Sequence, residues 1–384
     1  MGFHTATLCL HSEEETVNCD HSGAVSFPIY QTATFSHRNL GENTGYDYSR
    51  IQNPTREKLE NVVASLEKGC EAIAFSSGTT AIGALIELFH AGDEVLTYFD
   101  LYGGTIRMFD TFGKNHGVKF RYVDFIHEDI ETYIGEQTKA IFIETPTNPM
   151  MHILDIRGLH TIAKKHRLLL IVDNTFLSPY FQNPLELGAD IVIHSGTKYL
   201  CGHNDAIAGF LIVKEEELAG RLRRIYQIAG TALAPFDSWL ILRGIKTLPL
   251  RMEQAQKNAF AIVDWLKENP EVKQVYYPGI EDSDGYEISL AQSSGFGGMV
   301  SFELRTKEAA VTVLEHLKLI LFAESLGGVD SLMTYPITQT HAEVPKELLD
   351  QNGINDRLLR MSVGIENIED LIADLEQAFS YIKG

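Results

Sequence analysis

The chain has 384 residues, 44% of them hydrophobic and 22% charged, and 52 acidic side chains outnumber 32 basic ones for a net charge of −20. That composition excludes disordered, collagen-like and fibrous chains, and leaves a globular protein of two or three domains with ample length to bury a core. The acidic balance, without any run of five or six basic residues, argues against nucleic acid as a partner, because backbone phosphates are bound by clustered Lys and Arg.

Residues 1–58 are rich in Gly, Thr, Asn, Tyr and Ser and read as a loop-like arm, ending where Pro54-Thr-Arg56 begins a helix. The opening stretch MGFHTATLCLHSEEET lacks the basic and long apolar segments of a secretory signal. Cys9, Cys19, Cys70 and Cys201 are scattered without paired spacing, which fits a reducing compartment. The densest apolar run, Leu168–Val172, falls far short of the ~20 residues that cross a bilayer. These features predict a cytoplasmic protein without a membrane partner.

Over residues 59–247 short β-branched runs alternate with helical spacing. The runs are Ala72–Ser76, Glu94–Phe99, Lys119–Val123, Ala140–Glu144, Leu168–Val172, Ile191–His194 and Gly209–Val213. Between them lie helical patterns such as Thr79–Ala91, Tyr102–Gly117 and Ile156–His166. This alternation predicts an α/β domain, a mostly parallel sheet with helices on both faces. From 248 to 384 the pattern changes to a long helix (Leu248–Asn269), runs at Val272–Tyr277 and Met299–Leu304, and helices near Lys307–Leu317 and Ile368–Lys383. That stretch reads as a smaller C-terminal α+β domain.

In such sheets ligands gather at the carboxyl ends of the strands, and four exits are polar. They read Ser77-Gly-Thr79, Thr145-Pro-Thr-Asn148, Asp173-Asn-Thr-Phe176 and Ser195-Gly-Thr-Lys198. A lysine just past a buried strand loses charge by desolvation and becomes an amine nucleophile for an aldehyde. An Asp at a neighbouring strand end suits a protonated pyridine nitrogen. Ser77-Gly78-Thr79, opening a helix, offers backbone N–H groups to a phosphate, with Ser195 and Thr197 beside it. Tyr102, after the second strand, supplies a ring that stacks on a flat cofactor. Taken singly, the Ser-Gly-Thr is an ordinary helix cap and the Asp or Lys a turn residue. Together at successive strand ends they describe pyridoxal 5′-phosphate. No metal is expected: His160 and His166 stand six apart, and His203 with Asp205 is a poor ligand pair.

The sequence resembles the Cys/Met-metabolism family of pyridoxal-phosphate enzymes across nearly its whole length. The matching segments are Tyr46-Asp-Tyr-Ser-Arg50 with Asn53-Pro-Thr-Arg56, Asp100-Leu-Tyr-Gly-Gly-Thr105, Glu144-Thr-Pro-Thr-Asn-Pro149 and Val172-Asp-Asn-Thr-Phe176. Further matches are His194-Ser-Gly-Thr-Lys-Tyr-Leu200, Ala323-Glu-Ser-Leu-Gly-Gly328 and Arg360-Met-Ser-Val-Gly-Ile-Glu366. The resemblance implies an aspartate-aminotransferase-like fold and a homotetramer built from dimers. It implies that Lys198 is the Schiff-base lysine, Asp173 the partner of the ring nitrogen, and Gly78, Thr79, Ser195 and Thr197 phosphate ligands. It also implies that Tyr48 and Arg50 reach a neighbouring subunit's site. Asn148 would support the ring or substrate, Arg360 would grip the α-carboxylate, and Ser325 would orient the lysine.

Within the family, Asp47 before Tyr48 resembles cystathionine γ-synthases, and Glu324 before Ser325 resembles γ-synthases and γ-lyases rather than β-lyases. Gly104 stands where methionine γ-lyases place a Cys, and Arg107 where a synthase uses a cation for a distal carboxylate. The segments Pro235-Phe-Asp-Ser-Trp239 and Tyr335-Pro-Ile-Thr-Gln-Thr-His341 resemble the Gram-positive synthase and thiol-lyase branch. Ile51, where some synthases carry a second Arg, points to an acetyl rather than a succinyl ester. These likenesses imply γ-replacement on O-acetylhomoserine with cysteine, giving cystathionine. The alternative is elimination from cystathionine by a γ- or β-lyase.

Overall fold

The computed structural model describes residues 3–11 and 23–382; Cys19 and Lys383, named above, lie outside the described residues. The runs read from the sequence form one seven-stranded sheet. Its strands are β1 (Glu71–Phe75), β2 (Glu94–Tyr98), β3 (Lys119–Val123), β4 (Thr138–Glu144), β5 (Leu169–Asp173), β6 (Ile191–Ser195) and β7 (Gly209–Val213), in spatial order β1-β7-β6-β5-β4-β2-β3. Only β7 runs against the others, pairing antiparallel with both β1 and β6. The remaining carboxyl ends therefore share one edge.

Period-two side chains feed two separate cores, one on each face. Leu170, Val172 and Val192 join one, while Ile171, Ile191 and Ile193 join the other. Helices Pro54–Glu67 and Ile156–His166 cover the first face, and Gly78–Ile86 and Glu216–Ala229 the second. Two expected helices differ. The first ends at Ile86, where Leu88 and Phe89 tighten into three-residue turns. The stretch after Tyr102 is broken at Phe109–Gly113 by a wider π-helical turn, which stacks Phe109 on Phe120 at 3.8 Å between ring centroids.

The C-terminal residues build a second sheet from β8 (Val272–Tyr276), β9 (Met299–Leu304), β10 (Leu321–Phe322), β11 (Leu332–Thr334) and β12 (Leu358–Ser362), ordered β10-β11-β12-β9-β8. Helices Leu248–Glu268 and Ile368–Phe379 close its own core around Phe302, Leu359 and Leu375. Among the described residues no helix is long and apolar enough to cross a membrane.

Gly209, first in β7, lies opposite both Phe75 of β1 and Ser195 of β6. A Cβ there would sit 2.1 Å from the Ser77 carbonyl oxygen. Only a glycine lets β7 pass behind the Ser77–Gly78 turn. Gly209→Ala should therefore lower stability by about 1–3 kcal/mol, measured as a shifted denaturant midpoint; an unchanged midpoint would show that the turn yields without cost.

Candidate active site

Along the shared strand edge, a cavity of about 240 Å³ opens between the two sheets. Ser77, Gly78, Thr79, Tyr102, Glu144, Asn148, Asp173, Ser195, Thr197, Lys198, Glu324, Ser325 and Arg360 all line it, though they come from distant parts of the chain. The large sheet explains most of this convergence: from Ser77 to Lys198 each residue follows, or ends, a strand whose carboxyl end faces the same way, while Glu324, Ser325 and Arg360 come from the smaller sheet.

At one end of the cavity the helix Gly78–Ile86 begins. Ser77 caps it, its Oγ accepting from the Thr80 N–H at 3.0 Å. A Cβ on Gly78 would lie 3.1 Å from Ser195 Cβ, so glycine keeps the helix start and the β6 exit close together. First-turn N–H groups without helical partners, beside the Ser195 and Thr197 hydroxyls, could hold an anion such as a phosphate. Thr197 is anchored from behind, its Oγ1 accepting from Ala208 N–H at 3.1 Å.

In the middle stand two carboxyls on adjacent parallel strands, Glu144 and Asp173, which are register partners. Asp173 Oδ1 accepts from the Thr175 backbone N–H at 3.0 Å and its hydroxyl at 2.5 Å. Thr175 Oγ1 in turn accepts from Ser195 N–H at 2.9 Å, joining ring end to phosphate end. Burial raises the pKa of both carboxyls. Glu144 is raised further by the negative charge of Asp173, while Thr175 and His194 hold Asp173 down. A cationic ring nitrogen would supply the counter-charge that this pair lacks. Glu144 also accepts from the Tyr102 backbone N–H at 2.9 Å, which fixes the start of the Tyr102 turn. The ring of Tyr102 leans over Gly104, where a Cβ would fall 2.3 Å from ring carbon Cε1.

The third group joins the two sheets. Lys198 Nζ donates to Ser325 Oγ at 2.8 Å. Burial, and then the charge of Arg360, pull this amine down to about 8, with Glu324 pulling the other way. Arg360, on β12 with Thr334 of β11 as register partner, is 1% exposed. It donates to Asn148 Oδ1 at 2.7 Å, to the Ser325 carbonyl at 3.0 Å and to Thr334 Oγ1 at 3.1 Å, while its Nε has no partner among the described residues. Burial lowers its pKa to about 10 and Glu144 is the main opposing charge. A buried guanidinium in the cavity wall with an unpartnered N–H suits a carboxylate. Ser325 thus touches both amine and guanidinium, and it does so with φ of +94°, rare for a residue with a side chain.

Four residues named from the sequence lie outside this cavity. Tyr48 is 44% exposed, with the Arg50 guanidinium 5.5 Å over its ring, and Arg50 donates to the Gln227 carbonyl at 2.6 Å. Asp47 pairs with His37 at 2.6 Å. Arg107 pairs at the surface with Glu343 at 3.0 Å. Conversely, sequence reasoning left Glu144, Thr175 and Thr334 without roles. The first two had a signal: Glu144 closes a strand on the polar edge, and Thr175 stands two residues after Asp173, the spacing of an Asx turn. Thr334 had none, because only the β11–β12 register brings it to Arg360.

A phosphate cradle, a buried carboxylate pair for a ring nitrogen and a desolvated lysine fit pyridoxal 5′-phosphate, and define an α/β enzyme that uses this cofactor. The chain belongs to the family described as Cys/Met metabolism PLP-dependent enzymes, whose family model matches residues 6–380. It is 50% identical to a cystathionine gamma-synthase/O-acetylhomoserine (thiol)-lyase from Bacillus subtilis, over 94% of this chain and 93% of that one. It is 48% identical to a cystathionine beta-lyase of Lactococcus lactis subsp. cremoris, over 93% and 94%. The crystal structure of cystathionine gamma-lyase from Lactobacillus plantarum, complexed with L-serine, superposes with a TM-score of 0.95 at 44% identity, covering 99% of each chain. The expected fold, cofactor and enzyme class hold.

With the Lys198 amine lowered to about 8 from 10.5, uptake of pyridoxal 5′-phosphate by the cofactor-free protein should accelerate with pH and level off above about 8. Visible absorption at a series of pH values measures this. A midpoint near the solution value for lysine would mean that the amine is hydrated.

Proposed function

We propose that this protein catalyses γ-replacement on an O-acyl-homoserine, the acetyl ester in particular, with cysteine as the thiol and cystathionine as the product. The observation that carries the reading is the bridge through Ser325. It sets a desolvated amine beside a guanidinium with a free donor, as a substrate with an α-carboxylate and an α-hydrogen requires.

The chain's residues then have these tasks. Pyridoxal 5′-phosphate, held by Lys198, Asp173 and the Gly78–Thr79 and Ser195–Thr197 cradle, supplies the electron sink. Arg360 pairs with the α-carboxylate, held in aim by Asn148 and Thr334. Lys198, neutral for part of the time near pH 8, takes the α-proton at Nζ and later returns it, with Ser325 Oγ fixing its position. Asp173 keeps the ring nitrogen protonated, and Tyr102 covers the ring. Glu324, beside Ser325 on the cavity wall, faces the substrate side chain.

Support for replacement over methionine γ-elimination comes from Gly104, since a cysteine there would collide with the Tyr102 ring in its present place. Arg107 fits a distal carboxylate because its bond to Glu343 is a surface pair, of a kind worth about 0–1 kcal/mol and readily exchanged. Asp47, Tyr48 and Arg50 have no role in their own chain's cavity, which supports their reaching a neighbouring cavity in a homotetramer. We further divide the chain into an arm (1–58), a cofactor domain (59–247) and a C-terminal domain (248–384), active in the cytoplasm.

Product analysis decides between the reactions. O-acetylhomoserine should give cystathionine when cysteine is present and 2-oxobutanoate when it is absent. Little reaction with the ester, but rapid keto-acid release from cystathionine, would make the enzyme a lyase. Lys198→Ala should lower either turnover by at least about 10⁴-fold, and retained activity would overturn the site assignment.

A further inference from the structure

His341 is a buried titratable group with no part in the chemistry above. Its side chain is 1% exposed. Nε2 lies 3.2 Å from the Leu101 carbonyl and 3.2 Å from that of Asn148, and Nδ1 lies 2.8 Å from Thr340 Oγ1. Carbonyl oxygens only accept, so Nε2 carries a hydrogen and shares it between them. Burial pushes the imidazole down to about 4; Asp100 opposes this and Arg360 adds to it, so the ring is neutral at physiological pH. A neutral ring protonated at Nε2 has its lone pair on Nδ1, which accepts a hydrogen bond from the Thr340 hydroxyl. The Thr340 hydroxyl is then left with only lone pairs to offer, and Thr340 is one of the residues lining the cavity.

These contacts join three walls of the site. Leu101 precedes Tyr102, and Asn148 holds Arg360. The Thr340 carbonyl also abuts Gly103, where a Cβ would come within 2.1 Å of its oxygen.

We propose that His341 is a positioning residue with two separable effects: its Nε2–H holds the Tyr102 turn to Asn148, and its Nδ1 makes Thr340 a hydrogen-bond acceptor selecting substrates that bring an ammonium or thiol donor to that wall. This rests on the cavity being the amino-acid site, not on which carbon–sulfur reaction occurs there.

Two isosteric variants of the holoenzyme separate the effects. In His341→Gln the side-chain amide reaches the Nε2 position and keeps the bond to the carbonyls, while Thr340 is released. The visible circular dichroism of the bound cofactor should stay as in the wild type, kcat should change by less than about threefold, and KM should rise about tenfold. In His341→Asn the side chain reaches only the Nδ1 position and keeps Thr340, while the carbonyls lose their donor. There the dichroism should change and kcat should fall about tenfold with KM nearly constant. Thr340→Val should copy the KM effect with an unaltered dichroic band. Gln and Asn variants that lose kcat and KM alike, in step with a lowered melting temperature, would reduce His341 to a structural residue. Should both fail to fold, an unchanged KM in Thr340→Val would by itself overturn the acceptor role. The dichroism arm needs no turnover, so a wrong choice of substrate is told apart from a wrong role for His341.

Discussion

Lys198, Arg360, Glu144 and Asp173 line one cavity, and burial there penalises the charged form of each. A lone buried charge costs several kcal/mol even after relaxation. Here Lys198 and Arg360 stand against Glu144 and Asp173, and burial drives all four toward their neutral forms. The site thereby acquires what its chemistry needs. The lysine gains a neutral fraction at moderate pH, the guanidinium stays charged and under-bonded, and the carboxyl pair has an unmet demand for positive charge. That demand suits a protonated pyridine ring at this spot, and the helix N-terminus at the other end would take its phosphate. The same burial makes His341 a fixed neutral donor rather than a charge.

What keeps these groups close is the topology. Six strands point their carboxyl ends at one edge, so residues far apart in sequence meet without long loops. The antiparallel β7 closes the pattern, and Gly209 lets it pass within contact of the Ser77 turn. The smaller sheet contributes Arg360, and the join between the two halves falls on Ser325. Its left-handed backbone turns the hydroxyl toward Lys198 and the carbonyl toward Arg360 at once. Such a conformation costs of order 1–3 kcal/mol and persists only where surrounding contacts enforce it. Here hydrogen bonds to Lys198 and Arg360 do so.

The large sheet was legible because its signal is local. Seven β-branched runs, bounded by turn residues, fall within about two residues of the observed strands at each end. The phosphate cradle, Asp173 and Lys198 followed from one rule about strand ends. The other half of the site was not legible this way. Leu358–Ser362 has no alternation to mark it as a strand because both faces are buried, and Leu321–Phe322 is too short to show any. Arg360 was therefore identified by resemblance alone, as were Tyr48 and Arg50, whose own chain gives them no site. Thr334 and His341 depend on a register and on a long-range approach that no spacing in the sequence records. Glu144 was in view as the end of a strand, but its hold on Tyr102 is a backbone contact across 42 residues.

The division between the two halves bears on specificity. In the reaction proposed above, removal of the α-proton would be set by strand exits of the large sheet together with Ser325 and Arg360. Choosing between replacement and elimination comes later, and a difference of about 1.4 kcal/mol shifts that choice tenfold. Groups able to act at that stage lie on the segment from Tyr335 to Val344, which packs against the Tyr102 turn through Thr340, His341 and the Arg107–Glu343 pair. Its surface pair exchanges cheaply, while its buried histidine does not, because moving His341 would strand two carbonyls at once. The segment can therefore vary its outer contacts to suit the substrate without loosening the cofactor.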